Sequence, residues 1–300
     1  MGSNTNERGY HAIMHNHWDA FVIDLDGTFL DGQGNVPDIN IQALNEVRAA
    51  EIEIIIATGR CFEECKHILD AINHCGVTIA AGGSALNAQD GSTIDSKKMS
   101  IDIVAEVAGQ IMQGGHRCLL LKDHNICGIP YVLAGDAPLH QASAWWFKSL
   151  NIHFLEVDRI EDDPWPEDTL RVGAVANIDK LRPLAQKLET ELKNKAKIQH
   201  WSAVTCSEAT GSTVHLLEVF AQSVDKWSML ERYMICSGRR LDQQKVISIG
   251  DGLNDIEILK HSNRSIAMGN ASDFVKSCAD FIGEHHQDSG FAKAVERWVL

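Results

Sequence analysis

Short apolar runs separated by amphipathic stretches dominate the chain from residue 20 onward. Ala20-Phe21-Val22-Ile23 is wholly apolar and stops at Asp24, and Glu53-Ile54-Ile55-Ile56-Ala57 stops at Thr58. Runs of this length without alternation read as strands buried on both faces. Between them, Ile41, Leu44 and Val47 share one face of a helix that Pro37-Asp38 can start. Phe62, Cys65, Leu69 and Ile72, spaced by three and four, predict the next helix. Val77 to Ala81 then predicts a third strand, closed by Gly82-Gly83. Such alternation predicts an α/β fold built on a doubly wound, mostly parallel sheet.

The middle of the chain breaks this rhythm. Strand-like runs at Cys118–Leu121, Gly128–Leu133 and Leu170–Ala176 alternate with helical patterns at 101–112, 137–149 and 179–193. Asp162-Asp163-Pro164-Trp165-Pro166 predicts a loop, because its prolines exclude a regular element. Residues 85–212 therefore read as an inserted α+β domain. After Thr213–Phe220 the first rhythm resumes, with a helix near 226–236, a strand Val246–Ile249 ending at Gly250-Asp251, a strand Arg264–Met268 and a closing helix Phe291–Leu300. The predicted organisation is a leader over 1–18, a core from 19–84 and 213–300, and the insertion between.

Composition narrows the partners more than the fold. The 300 residues carry 41 acidic against 27 basic side chains, a net charge of −14. That balance repels nucleic acid and anionic membrane surfaces, while a local cation can still admit a small anion. A monomer and a homodimer are equally compatible with it. No apolar run approaches the ~20 residues of a membrane helix, and the leader lacks an apolar signal core. Eight cysteines are scattered without a paired framework, which favours reduced thiols and a cytoplasmic address. Cys61 and Cys65, one helical turn apart, read as half-buried thiols of an amphipathic helix, and His11, His15 and His17 as a surface cluster in the leader.

Chemistry collects at the strand ends, where open α/β sheets bind ligands. Asp24-Leu25-Asp26-Gly27-Thr28 puts two carboxylates on one side of an extended segment before a glycine turn. Thr58-Gly59-Arg60 and Gly250-Asp251-Gly252-Leu253-Asn254-Asp255 end two further strands. Gathering Asp24, Asp26, Asp251 and Asp255 into one space costs about 4 kcal/mol per pair at 4 Å and an effective dielectric of 20. A cation must offset this, and carboxylate oxygens favour Mg²⁺ over zinc. Magnesium held by one or two carboxylates with a substrate phosphate points to phosphoryl chemistry.

The first of these segments matches the nucleophile motif of the haloacid dehalogenase superfamily, and Thr58-Gly59-Arg60 resembles its second motif. Lys226 stands where the third belongs, and Gly250 to Asp255 is similar to the fourth. Their order, with a large insertion between the second and third, resembles the Cof-like sugar-phosphatase branch, which carries an α/β cap there. The resemblance implies that Asp24 is the nucleophile and Asp26 the general acid and base. It implies Mg²⁺ on Asp24, the Asp26 carbonyl and Asp251. It further implies phosphate contacts from Thr58, Gly59, Lys226 and Asn254, with Arg60 and Asp255 in support. The activity implied is hydrolysis of a small phosphorylated metabolite; a phosphomutase and a weakly active metabolite-binding protein are the alternatives. The chain departs from the family at Gly82-Gly83-Ser84, where Asn-Gly-Ala is common, and at Asp225-Lys226-Trp227, where Ser-Lys-Gly is common. Polar residues of the insertion such as His124 and Arg171 read as surface positions.

Overall fold

The computed structural model describes residues 18–202, 214–240, 242 and 244–300. The histidine cluster of the leader lies outside the described residues. Trp18, assigned to the leader by its sequence, is instead 5% exposed and belongs to the core.

Two sheets organise the chain. The first half of the larger one comes from β1 (Ala20–Ile23), β2 (Glu53–Ala57), β3 (Thr78–Ala80), β4 (Ala85–Asn87) and β5 (Thr93–Ser96), with helices α1 (Asp38–Ala49) and α2 (Phe62–Ala71) between the first three. The segment that follows comprises α3 (Ile101–Gln113), β6 (Cys118–Lys122), α4 (His124–Cys127), β7 (Tyr131–Ala134), α5 (Gln141–Ser149), β8 (Phe154–Val157), β9 (Thr169–Asn177), α6 (Ile178–Glu191), β10 (Ala196–Ser202) and β11 (Val214–Ala221). The chain then returns through α7 (Lys226–Cys236), β12 (Val246–Gly250), α8 (Ile256–His261), β13 (Arg264–Ala267), α9 (Asp273–Lys276), β14 (Phe281–Ile282) and α10 (Gly290–Ala294).

The larger sheet has the order β14-β13-β12-β1-β2-β3-β4-β5, parallel from β14 to β3 and antiparallel beyond it. Alternation along each strand sends side chains to opposite faces. Phe21, Ile23, Ile54 and Ile56 pack with Leu44 of α1, Ile68 of α2 and Phe291 of α10. Ala20, Val22, Ile55 and Ala57 pack with Met229 and Leu230 of α7 and Ile258 of α8. Helices thus cover both faces, which is the doubly wound α/β arrangement. It also explains why β1, and β2 past Glu53, are apolar at successive positions.

The second sheet has the order β10-β11-β9-β6-β7-β8 and is antiparallel except for β7 against β8. One face, carrying Leu120, Val132, Val172, Ala174 and Leu217, packs on α3 and α6. The opposite face, carrying Leu119, Tyr131 and Leu170, packs in part on Phe147 of α5. Strand pairing departs from the expected boundaries at both ends. β4 and β5 hydrogen-bond to the larger sheet although they follow residue 84, and β11, expected in the core, sits between β10 and β9. Residue pattern says that a segment is a strand; the hydrogen-bonded partner decides which sheet it joins.

Candidate active site

Four strand ends meet at one edge of the larger sheet. β1 delivers Asp24, whose amide donates to Ile249 O at 3.1 Å, and the chain turns through Gly27 at φ +75°. A Cβ on Gly27 would lie 2.3 Å from Asp251 Oδ2, so this turn requires glycine for conformation and for space alike. β2 delivers Thr58, Gly59 and Arg60. β12 delivers Asp251 to Asp255. β13 delivers Asn270, which sequence reasoning did not single out.

Lys226 arrives from the first turn of α7. Asp225 caps that helix by accepting from Ser228 N at 2.7 Å, and Ser228 Oγ accepts in return from Asp225 N at 3.2 Å. The departure from Ser-Lys-Gly therefore keeps a capping residue. Gly83, at φ +103°, lets the end of β3 pass this helix start: a Cβ there would lie 2.2 Å from Asp225 O. Lys226 is fully buried and donates to Asp24 Oδ1 and Asp255 Oδ1, at 2.6 Å each.

Carboxylates outnumber cations in this cluster. Asp24, Asp251 and Asp255 each offer an oxygen, all within 4.8 Å of one another, against the single ammonium of Lys226. Burial, then Asp255, push the Asp24 carboxyl well above the usual range, with Lys226 opposing them. Burial and then Asp255 push Asp251 up to about 7. The Lys226 ammonium is held up by Asp24 and Asp255 against its own burial. Such an arrangement suits one further cation, and an all-carboxylate set suits a hard divalent ion. Asp255 is the least free to bind one, because its Oδ2 already accepts from Asp251 N at 3.1 Å and Gly252 N at 2.8 Å. Asp251 is oriented from outside: Asn270 Nδ2 donates to its Oδ2 and to Gly27 O, at 2.8 Å each, and Thr28 Oγ1 donates to its Oδ1 at 3.3 Å.

Asp26 points elsewhere. Its carboxylate receives both Arg60 Nε, at 2.8 Å, and Arg60 Nη2, in a bidentate pair. This carboxylate also outweighs the burial that would lower the Arg60 pKa. The guanidinium carbon lies 4.8 Å from the ring centroid of Trp146 on α5, and Trp146 Nε1 donates to Glu64 on α2 at 2.8 Å. Glu64 also accepts from Tyr131 OH at 3.0 Å and Cys61 N at 2.9 Å. Cys61 and Cys65, expected to be half-buried, are fully inside, and burial raises both thiols.

A cleft of about 630 Å³ opens between the two sheets, with Asp24, Asp26, Gly59, Arg60, Asp251 and Asn254 on one side of it. Asn254 Nδ2 would lie 3.3 Å from a Cβ on Gly59, so these two residues adjoin. Thr58 and Lys226 are not in the cleft wall; both are fully buried, and Thr58 Oγ1 accepts from Arg60 N at 3.2 Å. The other side is built by the second sheet and α5, including Arg171, which is buried rather than superficial and forms an ion pair with Glu218. His124 lies outside this cleft, 3.7 Å from Glu63. Among the described residues, no helix is long and apolar enough to cross a membrane.

Comparison with known proteins agrees with this geometry. Residues 21–295 match the family model of haloacid dehalogenase-like hydrolases. A 5-amino-6-(5-phospho-D-ribitylamino)uracil phosphatase of Bacillus subtilis is 27% identical over 93% of this chain and 95% of its own length. A phosphoglycolate phosphatase of Methanobrevibacter smithii is 23% identical over 94% and 99%. A haloacid dehalogenase-like hydrolase from Bacteroides thetaiotaomicron has the same fold at a TM-score of 0.75, 21% identity and coverage of 93% and 99%. A subclass IIB sugar phosphatase does so at 0.74, with 20% identity and coverage of 94% and 99%. With all four motif segments assembled at one sheet edge and a family match over most of its length, the chain belongs to the haloacid dehalogenase-like hydrolases.

Proposed function

We propose that this protein is a Mg²⁺-dependent phosphatase that hydrolyses a small phosphorylated metabolite through an aspartyl-phosphate on Asp24. The observation that carries the reading is the buried group of three carboxylates around one lysine, with Asp24 reaching the cleft. Asp24 and Asp251 fit a divalent cation, together with the Asp26 carbonyl. When bound, that ion would neutralise charge on carboxylate and phosphate.

The remaining steps belong to side chains. Asp24 attacks phosphorus, its P–O bond forming as the ester P–O bond breaks, so that one difficult displacement becomes two easier ones. Lys226 holds Asp24 Oδ1 at 2.6 Å, which fixes the attacking carboxylate and places positive charge beside the transferring group. Asp26 gives its proton to the leaving alkoxide and later takes one from the attacking water. Arg60 must loosen its bidentate hold on Asp26 for that exchange. Gly59 and Asn254 supply donors to the phosphate from the cleft wall. Thr58 accepts from Arg60 N, which leaves its own O–H to donate.

In this reading the second sheet is a cap. The cap would then run from near residue 98 to near 222, with the core on either side of it, a division that the membership of the two sheets supports. Cap and core touch at Trp146–Glu64, and at Arg171, whose Nη1 donates to Gly59 O at 2.9 Å. A cap closed on the nucleophile excludes water from the first displacement. The similarity to named phosphatases supports the reaction class. The test is inorganic phosphate release from a panel of phosphate esters in Mg²⁺ and in EDTA, without a bisphosphate activator. Metal-dependent release is expected. Turnover only with a bisphosphate would replace the reading with a mutase, and equal rates in EDTA would remove the metal from it.

A further inference from the structure

The segment Thr58-Gly59-Arg60 is fastened from two sides. Gly82 N donates to Thr58 O at 2.9 Å and Ala81 N to Arg60 O at 2.7 Å, both from the turn after β3. The carbonyl between them accepts from Arg171 Nη1 instead, at 2.9 Å, from 112 positions along the chain on β9 of the second sheet. Glycine has the widest backbone freedom of any residue. The least constrained residue of the segment is therefore the one held from outside its own sheet.

The hold is part of a closed circuit. Arg171 Nη2 donates to Tyr131 OH at 3.0 Å, and Tyr131 OH donates to Glu64 Oε1 at 3.0 Å. Glu64 Oε2 accepts from Cys61 N at 2.9 Å. Hydrogen bonds thus run from Gly59 O through Arg171, Tyr131 and Glu64 to Cys61 N, enclosing Arg60. Arg171 and Tyr131 both belong to the second sheet.

A trans peptide group is planar, with its carbonyl and its N–H on opposite sides. The peptide joining Gly59 to Arg60 presents its oxygen to Arg171 and its N–H to Thr58 Oγ1, 3.2 Å away. Arg171 therefore sets the direction of the donor that Thr58 meets. Thr58 is fully buried, so water does not compete to orient its hydroxyl. Because Oγ1 accepts from Arg60 N, the hydroxyl keeps its own proton for another acceptor. Arg171 has little left to offer a substrate directly: Nη1 serves Gly59 O and Glu218, Nη2 serves Tyr131 OH, and Glu218 neutralises the charge.

We propose that Arg171, on the phosphatase reading above, is a positioning residue for phosphoryl transfer: its hold on Gly59 O fixes the Gly59–Arg60 peptide and through it aims the Thr58 hydroxyl at the phosphate. The second sheet then does more than cover the cleft. The phosphate contacts are complete only while that sheet is seated on the core, so closure and phosphate alignment are one event. A misaligned donor costs rate on every ester, because all esters share the phosphoryl group.

The test is a double-mutant cycle between Arg171 and Thr58 in Mg²⁺, read on acetyl phosphate, whose leaving group is small, and on ribose 5-phosphate. Arg171→Met is made together with Glu218→Gln, so that no unpaired charge stays buried, and melting curves establish that each variant is folded at the assay temperature. This pair of substitutions should lower kcat about tenfold or more on both esters. In a Thr58→Ala background it should lower kcat less than about threefold, because the hydroxyl that Arg171 aims is gone. Arg171→Lys keeps a cation beside Glu218 but lacks the planar fork, and should show the same dependence on Thr58 in milder form. Equal losses in both backgrounds would overturn the proposal, as would a loss confined to KM for ribose 5-phosphate, which marks a substrate contact; phosphate release by the unaltered protein would still uphold the phosphatase. Calorimetric binding of orthovanadate in Mg²⁺ reads the same segment without turnover. Its affinity should fall about tenfold with the paired substitutions and change little with them in the Thr58→Ala background. That pattern with no release from any ester would overturn the phosphatase and leave the positioning role standing, whereas vanadate affinity unmoved by the pair would overturn the positioning role.

Discussion

Asparagine in place of Asp24 should abolish turnover and yet stabilise the metal-free protein. The Asp24 carboxylate is attracted by Lys226 at 2.6 Å, worth about 6 kcal/mol at an effective dielectric of 20. Asp251 and Asp255 place oxygens within 4.8 Å, and each repels it by about 3.5 kcal/mol or more on the same scale. These contributions nearly cancel. What remains is the desolvation of a buried carboxylate, several kcal/mol, which a neutral amide of equal size escapes. The amide of the Asp24→Asn variant still offers Lys226 an acceptor, so a net gain of about 1–3 kcal/mol is expected, or roughly 2–6 °C in Tm. The sign follows from the raised Asp24 carboxyl. A folded pKa above the unfolded one penalises the charged form, so the penalty is absent below about pH 4 and grows as pH rises. The advantage of Asp24→Asn should therefore be present at pH 7 and vanish in acid. Thermal melts in EDTA at both pH values, beside phosphate-release assays in Mg²⁺, check each part. A Tm below wild type in EDTA at pH 7 would show that Lys226 outweighs repulsion and burial together, and retained turnover would exclude Asp24 as nucleophile.

Four further outcomes are expected. Lys226→Met leaves Asp24 and Asp255 buried without their cation; it should lower stability by about 3–5 kcal/mol and abolish turnover, and an unchanged urea midpoint would contradict the pairing. Asp26→Ala should lose far more rate on alkyl phosphates than on p-nitrophenyl phosphate, whose leaving group needs no proton; equal losses would refute its acid role. Glu218, raised to about 7 against an ordinary 4.5, makes the fold less stable as pH climbs from 5 to 7.5, by up to about 3 kcal/mol; urea midpoints of Glu218→Gln in Mg²⁺ should vary less across that range. Glu64→Ala strips the acceptor from Tyr131 OH, Trp146 Nε1 and Cys61 N and should cost about 3 kcal/mol, with a higher KM as cap and core part; unaltered stability and KM would show that Glu64 does not join them.

The core site was legible because its residues stand where a local pattern ends. Asp24 and Thr58 each follow an uninterrupted apolar run, Asp251 follows one broken only by Ser248, and a parallel sheet must bring the carboxyl ends of its strands to one edge. By that same logic Asn270, just past the end of β13, could have been found; a glycine-asparagine pair after a short strand is an ordinary turn in sequence, and its bonds to Asp251 and Gly27 are not visible there. The cap was harder. Arg171 sits in a run of mostly apolar residues, and the Glu218 that neutralises it lies on another strand. Nothing along the chain distinguishes a buried ion pair from two surface charges. The expected boundaries failed for a similar reason: β5 is polar and short, and β11 is apolar enough for either sheet.

Periodicity along the chain determined the α/β core, because burial on two faces writes itself into central strands, and strand-end chemistry determined three of the four carboxylates expected to meet, Asp24, Asp251 and Asp255. Tertiary structure alone decided the partners. Lys226 joins Asp24 across 202 positions, Asp26 turns to Arg60, and Ser143 and Glu218 share a cleft wall. Such choices depend on which charges and polar atoms lose water together, and that is a property of packed surfaces rather than of neighbouring residues.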